Sequence, residues 1–168
     1  MTMFQKKLVA AICAAIIVAG MTASAQIRGL YPMRIEPEGN HVYINTEGKV
    51  ILNIDCLLAE EFSQGYAAVC ANDVWYFINR EGKKAFGRDF EEVLSFTEEL
   101  AAVKVNGLWG YINLAGDMVI EPKFARAFSF SDGLACVMIG DQADGSARYG
   151  YIDREGKFAI EPFLRFLD

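Results

Sequence analysis

The stretch LWGYINLAGDMVIEPKF, Leu108 to Phe124, is the best-formed copy of a unit that recurs at a 34-residue offset. Phe62, Phe96 and Phe130 open three copies, FSQGYAAV, FTEELAAV and FSDGLACV. Each leads into an aromatic-rich segment: VWYFINREGK, LWGYINLAGD and RYGYIDREGK. A partial copy, NHVYINTEGK, lies upstream at Asn40 to Lys49. Ile44, Ile78 and Ile112 mark the 34-residue step, and Ile152 follows after 40 because Gly140 to Ala147 inserts about six residues. So regular a repeat limits the fold sharply. One short unit cannot bury its own apolar face, so the copies must stack and complete each other's core.

The third copy sets out the physics of a unit. Ala101 to Val105 is β-prone, and Leu108 to Asn113 is the return strand. Asn106-Gly107 between them suits a two-residue type I′ turn, which needs positive φ at both positions. That turn pairs Val105 with Leu108, Val103 with Gly110 and Ala101 with Ile112 on a small aliphatic face. Lys104 with Trp109 and Ala102 with Tyr111 form the other face. Asn113-Leu114-Ala115-Gly116 then places Asn at the start of a type I turn and Gly where the chain must turn left-handed. Asn45 to Gly48, Asn79 to Gly82 and Asp153 to Gly156 repeat this chemistry. A third strand ends at Glu121-Pro122, because Pro cannot donate to a ladder. Phe124 anchors the return, with Cys56, Phe90 and Leu164 as its equivalents. The connectors, such as Phe90 to Phe96, read as a helical turn or a loop, with Glu91, Glu92, Glu98 and Glu99 as solvated charges.

The expected fold is therefore all-β: about four stacked three-stranded β-meander repeats, either an open coil or a partly closed barrel. The units are approximately 29–61, 62–95, 96–129 and 130–168. Ahead of them, Lys6 and Lys7, an apolar run from Leu8 to Gly20 and the small pair Ala23 and Ala25 read as a secretory signal helix, residues 1–25. The apolar run falls short of the roughly 20 residues that span a bilayer. The domain is then 26–168, exported to a periplasm or the extracellular space, with no stable membrane anchor after cleavage. Loss of Lys6 and Lys7 leaves 14 bases against 22 acids, a net charge of −8. Such a surface disfavours nucleic acid. Cys56, Cys70 and Cys136 remain, an odd number that matches neither a disulfide framework nor a zinc motif. Buried free thiols are the expected state.

These residues resemble the WG (KWG) repeat family. The likeness rests on the G-L-A-x-V opening, on Trp109-Gly110-Tyr111-Ile112-Asn113, on Gly116 and on Ile120-Glu121-Pro122-Lys123-Phe124. It covers nearly all of residues 26–168. Only the third copy keeps the Trp-Gly pair; the others read His41-Val42, Trp75-Tyr76 and Tyr149-Gly150. The resemblance implies a β-rich interaction module and carries over no catalytic residue.

The chemistry sought in the residues is sparse. His41 is the single histidine, and it occupies the place of Trp75, Trp109 and Tyr149, which reads as planar packing. No nucleophile, zinc or phosphate-loop motif is present, and the turn acids read as solvated. No cofactor and no metal is expected, and no catalytic activity. Asp141 and Asp144 lie in the inserted loop, which lacks the alternating ligands of a calcium loop. Loops on repeat scaffolds often carry specificity. The candidate binding residues are Trp75, Trp109, Tyr111, Tyr149 and Tyr151 on the aromatic ladders, with Asp141 and Asp144. The expected function is a binding or scaffold module for an unknown protein or cell-envelope component. The alternative is glycan binding or processing along the aromatic ladders, which requires exposed ring faces. Core packing between repeats is the competing explanation for the same residues.

Overall fold

The computed structural model describes residues 29–35 and 40–164. The secretory signal expected over residues 1–25 lies outside them. Among the described residues there is no helix, and four small antiparallel sheets follow one another along the chain. The first comprises β1 (Tyr31–Ile35), β2 (Asn40–Ile44) and β3 (Val50–Ile54). The second holds β4 (Leu58–Ala59), β5 (Tyr66–Ala71) and β6 (Val74–Asn79). In the third, β7 (Glu92–Val93), β8 (Leu100–Val105), β9 (Leu108–Asn113) and β10 (Met118–Phe124) pair in the order β10-β9-β8-β7. The fourth repeats this with β11 (Arg126–Ala127), β12 (Ala135–Ile139), β13 (Arg148–Ile152) and β14 (Phe158–Leu164).

Turn chemistry sets the register. Asn106 and Gly107 have φ of 51° and 77°, and the hairpin pairs Val103 with Gly110 and Lys104 with Trp109 as the turn dictates. In the second turn, Asn113 Oδ1 accepts the N–H groups of Ala115 and Asp117 at 2.9 and 3.0 Å. Asn45, Asn79 and Asp153 do the same for the residues two and four places on. A short polar side chain thus satisfies two amides that no strand can reach.

The connectors are not helical. Each enters the next sheet as an edge strand, because its first and fourth amides find carbonyls there. Ala125 and Phe128 donate to Met138 and Cys136, Glu91 and Leu94 to Lys104 and Ala102, and Leu57 and Glu60 to Cys70 and Ala68. Nor are the connector acids simply solvated. The Glu91 carboxylate accepts the Gly107 N–H at 3.0 Å, and that of Glu98 accepts the Gly133 N–H at 3.0 Å. Glu98 and Glu99 form a left-handed two-residue turn, with φ of 49° and 67°.

The cores lie between units, not inside them. Tyr43 of the first unit meets Ala67, Val69 and Ile78 of the second. Ala68 and Phe77 of the second meet Ala101, Val103 and Ile112 of the third. Trp109 and Tyr111 of the third meet Ala135, Val137 and Ile152 of the fourth. Every junction therefore joins the aromatic face of one unit to the small aliphatic face of the next, bulky side chains filling the space that Ala and Val leave. The result is a stack of four units joined through three clusters.

Candidate functional site

Trp109 and Tyr149 are each 7% exposed and Tyr111 is fully buried. Trp75 and Tyr151 are half-buried. The Tyr111 hydroxyl donates to the Phe128 carbonyl at 2.8 Å, and Tyr43 donates to the equivalent Glu60 carbonyl at 2.8 Å. Burial pushes both phenols well above their ordinary pKa. Tyr43, Trp109 and Tyr111 are thus junction fillers, and the two tyrosine hydroxyls are satisfied by the connectors. Stacking on a sugar ring needs an open ring face, and Trp109, Tyr111 and Tyr149 present none.

His41 is 9% exposed, with Nδ1 3.1 Å from the Cys56 carbonyl, in keeping with a packed ring. Cys56 and Cys70 are buried free thiols, and Cys136 is half-buried and free. Burial raises all three thiol pKa values, that of Cys56 to about 11.

Asp141 and Asp144 lie on the inserted loop, away from the aromatic ladders in sequence and exposed. Each carboxylate caps its own loop. Asp141 Oδ1 accepts the Ala143 N–H at 2.9 Å and Asp144 Oδ1 the Ser146 N–H at 2.7 Å. Hydrogen bonds from Ser146 hold the Asp144 carboxyl below its usual value. The Gln142 amide donates to the Tyr149 hydroxyl at 3.1 Å and ties the loop to the sheet. Of the sequence candidates, the structure brings this loop together with Tyr149, and Trp109 together with Tyr111 in one buried cluster.

Trp109 does reach one concave surface. A cleft of about 380 Å³ runs between the edge strands β7 and β11, lined by Val93, Leu94, Trp109, Arg126 and Phe128. Glu92 and Lys104 form an ion pair on its wall. Arg126 has no ion pair among the described residues, and Phe128 is 45% exposed. The cleft thus offers one available cation beside an apolar lip. Sequence reading missed Arg126 and Phe128 because they do not recur: Leu58 and Glu60, then Glu92 and Leu94, hold their places. A second hollow, about 460 Å³, lies at the turn end of the sheets, where Arg154 and Glu99 pair at 3.3 Å.

A tandem stack of small antiparallel sheets, with its cores at the junctions and a flank of short edge strands, defines a β-repeat protein. The chain belongs to the WG repeat family. The family model, described as WG containing repeat, matches residues 43–75, 77–109, 109–142 and 149–162. Those matches start within the central strands, so each of the first three spans a junction. No curated protein matches the chain. A crystal structure of a protein of unknown function from Bacteroides caccae aligns at 18% identity and a TM-score of 0.36, covering 79% of this chain and 67% of that one.

The structure explains both namesake residues. Trp109 fills the junction between the third and fourth units. Gly110 lies under the third strand, where a Cβ would stand 2.4 Å from the Ile120 carbonyl oxygen and 2.8 Å from the Pro122 nitrogen. The strand bulges there, with Ile120 opposite Tyr111 and Phe124 opposite Trp109. Gly150 sits beneath Ile160 and Pro162 in the same way. The first unit carries Val42, and its third strand pairs there without a bulge.

Proposed function

We propose that this chain is an exported, non-catalytic binding or scaffold module, which engages a protein or cell-envelope partner through the flank of edge strands. The cleft between β7 and β11 carries this reading. It is the concave surface that Trp109 lines, and it sets Arg126 beside the exposed Phe128. Its chemistry suits an extended segment with an acidic side chain next to an apolar one, since an arginine fork recognises carboxylates and a flanking ring excludes water. The short edge strands leave main-chain groups that such a segment can meet.

Affinity enrichment from an envelope fraction tests this, comparing the wild type with an Arg126→Glu, Phe128→Ala double variant. The reading expects a partner whose affinity for the purified double variant falls at least about tenfold, with the melting curve unchanged. Equal enrichment by both forms, or binding to a glycan array that survives in the double variant and disappears in Trp75→Ala, would contradict it.

A further inference from the structure

The three junctions follow one rule of packing. The second-turn glycine of each later unit lies over an apolar residue that follows the second turn of the unit before it, at one repeat position: Leu52, Phe86 and Ile120. A Cβ on Gly82 would stand 3.4 Å from Leu52, one on Gly116 2.4 Å from Phe86, and one on Gly156 3.0 Å from Ile120. Leu52 pairs with Tyr43 and Ile120 with Tyr111. Ile160, paired with Tyr151, is the fourth residue of this series.

Both ends of the stack leave the rule unfulfilled. Among the described residues, Gly48 has nothing within 4 Å of its Cβ position. Ile160 is 40% exposed, against 3% for Ile120. Beside Ile160, Tyr151 and Cys136 are half-buried where Tyr111 and Ala102 are covered. Phe163 holds the place of Lys123, whose Nζ crosses the third junction to the Gly156 carbonyl, and it is 64% exposed. At the other end, Tyr31 and Met33 pair with Ile44 and Val42, as Ala101 and Val103 pair with Ile112 and Gly110. Ala101 and Val103 are fully buried, whereas Tyr31 and Met33 are 47% and 44% exposed; Val42 alone in this row is covered.

We propose that a second copy of this chain completes these faces. The first unit of one copy docks on the fourth unit of another, head to tail, with Gly48 over Ile160 and Tyr31 and Met33 against Tyr151 and Cys136. The series of three junctions leaves one unfilled apolar face at each end, bulkier at the head, where Tyr31 and Met33 stand in the places of Ala101 and Val103, so a second copy is the occupant whose apolar chemistry matches. Contiguous exposed apolar side chains mark such surfaces. The contact joins two different patches, so it is heterologous and propagates to a ring or a filament. It is independent of what the β7–β11 cleft binds. The copies are acidic, so added salt strengthens the association by screening their repulsion.

Sedimentation velocity on the full chain, expressed with its own N-terminus and purified as the cell processes it, tests the proposal. Wild-type mass is expected to climb above the monomer as concentration rises. Met33→Glu and Ile160→Glu, each at an exposed position, are expected to lose every larger species while their melting curves show a folded protein. If Met33→Glu does not fold, Tyr31→Glu takes its place. An equimolar mixture of the head and tail variants is expected to give a dimer and nothing larger, since each keeps one intact face. A wild type that stays monomeric, a single variant that still assembles, or a mixture that stays monomeric overturns the proposal. Cys136 alkylation gives a second reading. Its rate is expected to fall with wild-type concentration and to stay constant in Ile160→Glu. Protection that is equal at all concentrations also overturns it.

Discussion

At the residue scale, Glu99 and Gly110 are two positions where the backbone constrains the side chain. Glu99 sits at φ 67°, where the equivalent residues are Gly65 and Gly133. A side chain in this region costs on the order of 1 kcal/mol, and the exposed pair with Arg154 returns little of it. Glu99→Gly should therefore raise the melting temperature by about 2–4 °C, read by thermal circular dichroism. Gly110 is the opposite case. Its Cβ position is filled by backbone, so Gly110→Ala should cost about 2–3 kcal/mol in denaturant unfolding by forcing the third strand away. Sequence inspection placed Gly110 opposite Val103 correctly and expected a third strand, but ended it at Glu121-Pro122, whereas it runs on over Gly110 to Phe124. That strand comes from a bulge at Glu121-Pro122, and strand bulges leave only a weak trace in residue patterns. The thiols give a third expectation. In dilute solution at neutral pH, Cys136 should alkylate first. Cys56 and Cys70 should react only as the fold opens, because burial excludes the reagent and raises the pKa, which keeps the thiolate fraction small.

At the scale of the element, the second turn is the most legible feature in the chain. Asn or Asp followed three residues later by Gly appears four times, and four times the side chain caps two amides. Asn113→Ala should lose about 1–2 kcal/mol through two hydrogen bonds. Asn113→Asp should retain most of the stability, since Asp153 performs the same task. Equal stability of all three forms in urea would contradict this assignment. The hairpin register was legible for the same reason: Asn106-Gly107 leaves the strands one way to pair. The connectors were not. Two paired residues are too short for a periodic pattern, and their pairing depends on carbonyls of the next unit rather than on their own side chains. The cleft at Arg126 and Phe128 was hidden with them, because it exists only between two such edges.

At the scale of the molecule, the stack turns a repeated sequence into a repeated junction. Each unit has two apolar faces and no core of its own, so stability should reside in the interfaces between neighbours. This accounts for aromatic residues that recur at one position without forming an open ladder, and for exposed apolar faces where the series stops. The most direct test is equilibrium denaturation of Trp109→Ala beside the wild type. Trp109 is 7% exposed and belongs to the core between the third and fourth units. If the aromatics hold neighbouring units together, the substitution removes about 3–5 kcal/mol of stability. Unchanged stability in Trp109→Ala would contradict the account, because it would mean that the ring is held for a ligand and not for the junction.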